Sequence, residues 1–163
     1  MTLGWQVLAA ARARKEGMSR EEIVAKAAKV RRRLVQIVAM DSQEQMQTGG
    51  RIGDAAKWVG TLLNVKPVVA INHQSGKVEP VGLARSHRAM LRILYSKFFK
   101  EVGKTKGLHI AVLHGSAPEE AQKLADQIAN EYNPVELIIN MTGPVLGVNS
   151  GPGAFALCGY VER

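Results

Sequence analysis

Residues 108–140 read LHIAVLHGSAPEEAQKLADQIANEYNPVELIIN. Leu108–Leu113 is a short apolar run with the length of a strand. Ala117-Pro118-Glu119-Glu120 then opens a helix. Proline fits the first helical position because its missing N–H would be unpaired there, and acid in the first turn complements the helix dipole. The helix runs to about Tyr132, where Asn133-Pro134 breaks it. Val135–Asn140 is a second strand. A strand, one helix and a strand in this order favour a parallel pair joined by a right-handed crossover.

Upstream, Pro67–Asn72 and Lys77–Ala84 are two extended runs joined by Gln74-Ser75-Gly76. So short a connection makes a hairpin, which is antiparallel. Parallel and antiparallel pairs in one chain require a mixed sheet with helices packed on it. Ser86 caps a long helix to about Val102, with Met90, Ile93, Leu94 and Phe98 on one face. Thr2 to Glu16 is a helix with Trp5, Leu8, Ala9 and Ala13 at helical spacing, and Gly17 ends it. Ser19 and Glu22 form a capping box for a second helix, with Ile23, Ala27, Val30 and Leu34 on its apolar stripe. Leu34–Met40 turns to a strand pattern. Asp41 caps a short helix through Gln47, and Asp54–Leu63 is a further helix.

Gly143–Gly153 holds four glycines and two prolines in eleven residues and leads into a last apolar run, Ala154–Val161. It is expected to be a shaped loop with Asn149-Ser150 at its middle, where a ligand head group fits or where a plain connection runs. The fold class is α/β with α+β character: a mixed sheet of roughly six strands with helices packed on it, in a single domain over residues 1–163.

The net charge is +8, and residues 12–33 carry nine Lys/Arg against three Glu. Such a face attracts nucleic acid, anionic head groups or an acidic protein. Arg31-Arg32-Arg33, however, closes a helix, where cations complement the dipole, and little aromatic content stands nearby to stack on bases. The expectation is a solvated helix face and no nucleic-acid partner. No apolar run reaches the length of a membrane span, no secretory signal opens the chain, and the lone Cys158 sits in an apolar run as a buried thiol. These features point to a cytoplasmic protein.

The four histidines show no metal-ligand spacing, so no metal is expected. His109 and His114 have opposite parity on their strand and point to opposite faces. There is no Walker loop, nucleophile elbow or placed carboxylate pair. The chemistry is that of a binding module rather than an enzyme. Arg51, in Gly49-Gly50-Arg51-Ile52-Gly53, is an anion contact or a solvated turn residue.

Four motifs occur in order along the chain: Leu3-Gly4-Trp5-Gln6-Val7-Leu8-Ala9-Ala10-Ala11-Arg12, Gly49–Gly53, Leu63-Asn64-Val65-Lys66-Pro67, and Gly143-Pro144-Val145-Leu146-Gly147 with Gly151-Pro152-Gly153-Ala154. Together they resemble the C-terminal half of the DegV family of fatty-acid-binding proteins, over essentially the whole chain. The resemblance implies a second domain alone, with the N-terminal domain absent. It implies a long-chain fatty acid with its tail in an apolar tunnel and its carboxylate at the boundary with the missing domain. It also implies a lipid-carrying subunit that presents the fatty acid to a separate kinase and catalyses nothing itself, with no cofactor.

Carried over by residue, Arg51, Gly50, Asn149 and Ser150 hold the carboxylate. Ile52, Leu146 and Val148 face the tail, and Arg85 and Arg88 dock the kinase. The family usually has histidine where Asn149 stands. Asparagine can hydrogen-bond a carboxylate but cannot carry its countercharge, which favours binding over phosphoryl transfer. The alternative is a structural or interaction domain that pairs with a separate N-terminal domain or self-associates as an oligomer.

Overall fold

The computed structural model describes residues 1–41, 65–73, 75–103 and 106–162. The expected turn at Gly49–Gly53 and the helix at Asp54–Leu63 lie outside them, as does the short helix expected after Asp41. The elements in order are α1 (Thr2–Lys15), α2 (Arg20–Arg33), β1 (Val35–Ala39), β2 (Lys66–Ile71), β3 (Val78–Ala84), α3 (His87–Val102), β4 (Leu108–His114), α4 (Pro118–Tyr132), β5 (Glu136–Met141), α5 (Pro144–Ser150) and β6 (Phe155–Val161).

The six strands form one mixed sheet in the order β3-β2-β1-β6-β4-β5. The strand–helix–strand unit pairs β4 with β5 in parallel, and the hairpin pairs β2 with β3 antiparallel. The last strand enters the middle of the sheet, antiparallel to both β1 and β4. Both β4 and β6 are buried along their whole length, which suits the apolar run of β6 and the apolar centre of β4 between His109 and His114. Pro80 lies on the edge strand β3, next to a register shift at Val68/Val69, as proline's missing donor requires.

Helices α3 and α4 cover one face, packing Met90, Leu94, Phe98, Leu124 and Ile128 on Ile110, Val112, Phe155 and Leu157. Helices α1 and α2 cover the other, with Trp5, Ala9 and Val30 on Ala111, Leu113, Cys158 and Tyr160. Cys158 is fully buried, and burial pushes its thiol up to about 12. His109 and His114 do lie on opposite faces. His109 stacks on Tyr160 and meets Trp5 edge-on. His114 accepts from the backbone N–H of Ala117 at the start of α4.

Local signals set the helix starts. Ser19 and Glu22 make the reciprocal capping box, and Ser86 Oγ accepts from Ala89 N. At the β4 N-terminal end, His109 Nδ1 is 3.0 Å from Glu136, and Glu136 also pairs with Arg12 of α1 at 2.8 Å. His109 Nε2 lies 3.3 Å from Glu162, an ion-pair distance without hydrogen-bond alignment. Glu162 in turn pairs with Lys26 of α2 at 2.9 Å. The Arg12 bond, against opposing burial, holds the Glu136 carboxyl below its usual range.

One expectation is corrected. Gly143–Gly153 is not simply a loop, because Pro144–Ser150 forms a short helix within it. Pro144 occupies a position where its fixed φ suits the helix, and Gly147 N donates to Gly143 O at 2.9 Å. Gly151 ends the helix at φ 76°, a conformation costly for any side chain. The strand expected at Val135–Asn140 is displaced by one residue, to Glu136–Met141.

Candidate functional site

The polar groups that sequence spacing could not assemble meet at one end of the sheet. Here β1 ends at Ala39 and is followed by Asp41, β2 begins at Lys66, and β4 ends at His114. Helices α3 and α4 begin at the same end, and β6 enters through Gly151–Gly153. Asp41 and Val65 both lie at this end.

Asp41 is the hub. Its Oδ1 lies 2.7 Å from Lys66 Nζ and 3.0 Å from His87 Nδ1. Burial pushes the Asp41 carboxyl up, but the bonds to Lys66 and His87 outweigh it and the net shift is down. His87 continues to Glu120 in the first turn of α4, Nε2 to Oε2, at 2.8 Å. The ring also meets Phe155 edge-on at 5.9 Å. The β6 lead-in closes against this network. A Cβ on Gly153 would lie 3.3 Å from Asp41 Cβ, and one on Gly115 only 2.7 Å from the Gly151 carbonyl oxygen. Gly153 N donates to Gly115 O, and Gly115 N to Ala154 O, each at 2.8 Å.

The residues expected from the sequence fall as follows. Asn149 and Ser150 end α5, immediately before Gly151, so they belong to this end of the sheet. Their side chains turn back on their own helix: Asn149 Nδ2 donates to Val145 O at 2.8 Å and Ser150 Oγ to Leu146 O at 2.9 Å. Leu146 and Val148 are 54% and 76% exposed, beside exposed Val145 and Met141. Gly50, Arg51 and Ile52 lie outside the described residues. Arg85 follows β3 at the same end. Arg88 sits on the first turn of α3 and, with Ser86, Arg92, Tyr95, Lys123 and Leu124, lines a groove of about 700 Å3 between α3 and α4.

A second groove, of about 560 Å3, lies at the far end of β2 beside Arg31, Arg32 and His73. Neither is the narrow apolar tunnel the resemblance implies. Among the described residues no cluster of three His, Cys, Asp or Glu could hold a metal, and no helix is long and apolar enough to cross a membrane.

Sequence reasoning missed Asp41, Lys66, His87 and Glu120 as a group. Lys66 lies within a quoted motif, but nothing local pairs it with Asp41, and His87 and Glu120 are 33 residues apart.

Residues 1–162 match the family model described as "Uncharacterised protein, DegV family". A DegV domain-containing protein of Clostridium perfringens is 32% identical over 151 residues, covering 93% of this chain and 53% of the relative. Among solved structures, a DegV family protein from Thermus thermophilus, described by its fatty acid binding, superposes with a TM-score of 0.85 at 27% identity, covering 99% of this chain and 57% of that one. DegV of Bacillus subtilis, described as a fatty acid binding protein, superposes with a TM-score of 0.84 at 26% identity, covering 99% and 57%. The chain thus spans a little over half the length of the relatives it matches.

Proposed function

The chain belongs to the DegV family, and from that premise we propose that it binds a long-chain fatty acid, with the carboxylate at the sheet end that gathers Asp41, Lys66 and Gly151–Gly153. The observation that carries this reading is the likeness of fold to two relatives above 25% identity that are both described as fatty acid binding. The described geometry adds support. Leu146 and Val148 are exposed apolar side chains on a helix at this end, and a buried methylene contributes about 0.8 kcal/mol.

In this reading Arg51 and Gly50 meet the carboxylate together with Asn149, through its second amide proton, and with Ser150 once its hydroxyl turns from Leu146 O, and Ile52, Leu146 and Val148 meet the tail. The chain acts as a lipid carrier. It presents the lipid to a separate kinase that docks at Arg85 and Arg88, and it performs no chemistry alone. Asn149 supplies a hydrogen bond without positive charge, so the head-group attraction falls mainly on Arg51.

Arg51→Ala is therefore expected to weaken palmitate binding by about tenfold or more, the loss of one charge-assisted hydrogen bond of about 1.5–3 kcal/mol. Binding of the methyl ester should change little. Isothermal titration of both ligands checks this, and equal palmitate affinity in the variant would count against the assignment of Arg51.

A second reading, a domain whose partner is another protein, is favoured by the same exposed patch of Met141, Val145, Leu146 and Val148 beside the edge strand β5. Light scattering that shows a concentration-dependent dimer with no acyl ligand would support it.

A further inference from the structure

His87 lies at the first position of α3 between carboxylates from two other elements. Its Nδ1 is 3.0 Å from Asp41 Oδ1, just beyond β1, and its Nε2 is 2.8 Å from Glu120 Oε2, in the first turn of α4. An ionised carboxylate only accepts. Two such contacts at once need a proton on each ring nitrogen, which is the imidazolium. A neutral ring carries one proton, so in either tautomer one lone pair would face a carboxylate oxygen.

We propose that His87 is a pH-sensitive latch: charged, it joins the end of β1 to the start of α4 across the N-terminus of α3, and its deprotonation opens the joint on one side.

The surroundings decide the direction. Burial works against the charge on His87, and so does its place at a helix N-terminus. The hydrogen bonds to Asp41 and Glu120 and their negative charges outweigh burial, and the net shift is upward from the usual 6.5. Among the described residues, the groups that face the ring from the elements packed on it are Asp41 after β1, Glu120 on α4 and the uncharged Phe155 ring on β6. Lys66 on β2 shares Asp41 Oδ1 at 2.7 Å and so dilutes that carboxylate's pull on His87. On α3 itself Arg88 follows.

A histidine raised in the folded state adds stability that is fully present below its unfolded value and is lost as pH rises through the folded one. The joint is thus closed below the ordinary histidine value and opens as pH rises through the higher folded one. Opening has a second effect. Glu120 also lines the groove that holds Arg88, Arg92 and Lys123, so loss of the His87 charge makes that groove less positive by one unit.

The latch does not depend on any acyl ligand, and its test uses none. The full chain, with its histidine rings labelled with nitrogen-15, is titrated from about pH 5 to about pH 9 and followed by long-range proton–nitrogen spectra. The expected result is a His87 ring with both nitrogens protonated on the acid side and a midpoint above the ordinary histidine value. Glu120→Gln and Asp41→Asn should each move that midpoint down. Backbone protection factors at Met90 and Ala121 should fall through the same midpoint in the wild type and stay flat in His87→Gln. A His87 midpoint at or below the ordinary value overturns the latch. So does a midpoint unmoved in both carboxylate variants, or protection that stays flat across the wild-type titration. Failure of fatty acid to bind would leave all three readouts intact.

Discussion

Trp5→Ala is expected to destabilise the protein by about 3–5 kcal/mol, the range for truncating a buried aromatic residue. Trp5 is 0% exposed on α1 and packs against Ala111, Leu113 and Cys158. Its Nε1 donates to the Cys158 carbonyl at 3.1 Å, and its ring meets His109 and Tyr160 edge-on at 5.9 and 5.8 Å. Removing it leaves a cavity under the α1–α2 layer and takes a donor from the sheet. Alanine leaves little to refill that space, because its neighbours on α1, Ala9 and Ala13, are themselves small and buried. Trp5→Phe keeps most of the volume and loses the N–H, so its cost should be smaller, about 1–3 kcal/mol. Urea unfolding of the two variants checks the order. A Trp5→Ala loss under about 1 kcal/mol would mean that the α1–α2 layer is held elsewhere.

Gly159→Ala is the second large effect. Gly159 lies in β6 between Val35 of β1 and Ile110 of β4. An added methyl would collide with the His109 carbonyl oxygen, lie 3.1 Å from Ile110 Cα and come within 3.2 Å of the Phe98 ring. Two of those three neighbours are backbone of a strand buried along its length, so relief requires the sheet to spread at its centre. Overpacking of this kind costs about 3 kcal/mol or more, which lowers the melting temperature by roughly 10 °C in a domain of this size. Thermal unfolding followed by circular dichroism measures it. An unchanged melting temperature would mean that β4 and β6 yield at Gly159.

Much of the fold is legible in the sequence because its signals are local. Ser19 and Glu22 stand one helical turn apart and cap each other. Pro118 with its two following glutamates starts α4 where the residues alone place it. The parallel β4–β5 pair follows from the helix between the strands. The place of β6 does not follow in that way. It enters between β1 and β4, and its first partner lies more than a hundred residues back, so no spacing rule selects it.

The α5 helix is hidden for a different reason. Seven residues with proline at the start and glycine at the fourth position carry no helical periodicity. It forms because its ends are shaped by Gly143 and Gly151, and no apolar stripe marks it. The polar network shows the same limit. Asp41 and His87 are 46 residues apart and meet only when β1 and α3 pack. The glycine-rich stretch, by contrast, stands out in composition alone, and its Gly153 lies against Asp41.

The fatty-acid reading is tested most directly by mass spectrometry of the recombinant protein, first native and then denatured, followed by thermal unfolding with added palmitate. The account predicts one long-chain acyl mass that is released on denaturation. It also predicts that palmitate at a hundred times its dissociation constant stabilises the stripped protein by about 2.7 kcal/mol. A native mass equal to that of the bare chain, together with a melting temperature that palmitate does not move, would contradict it.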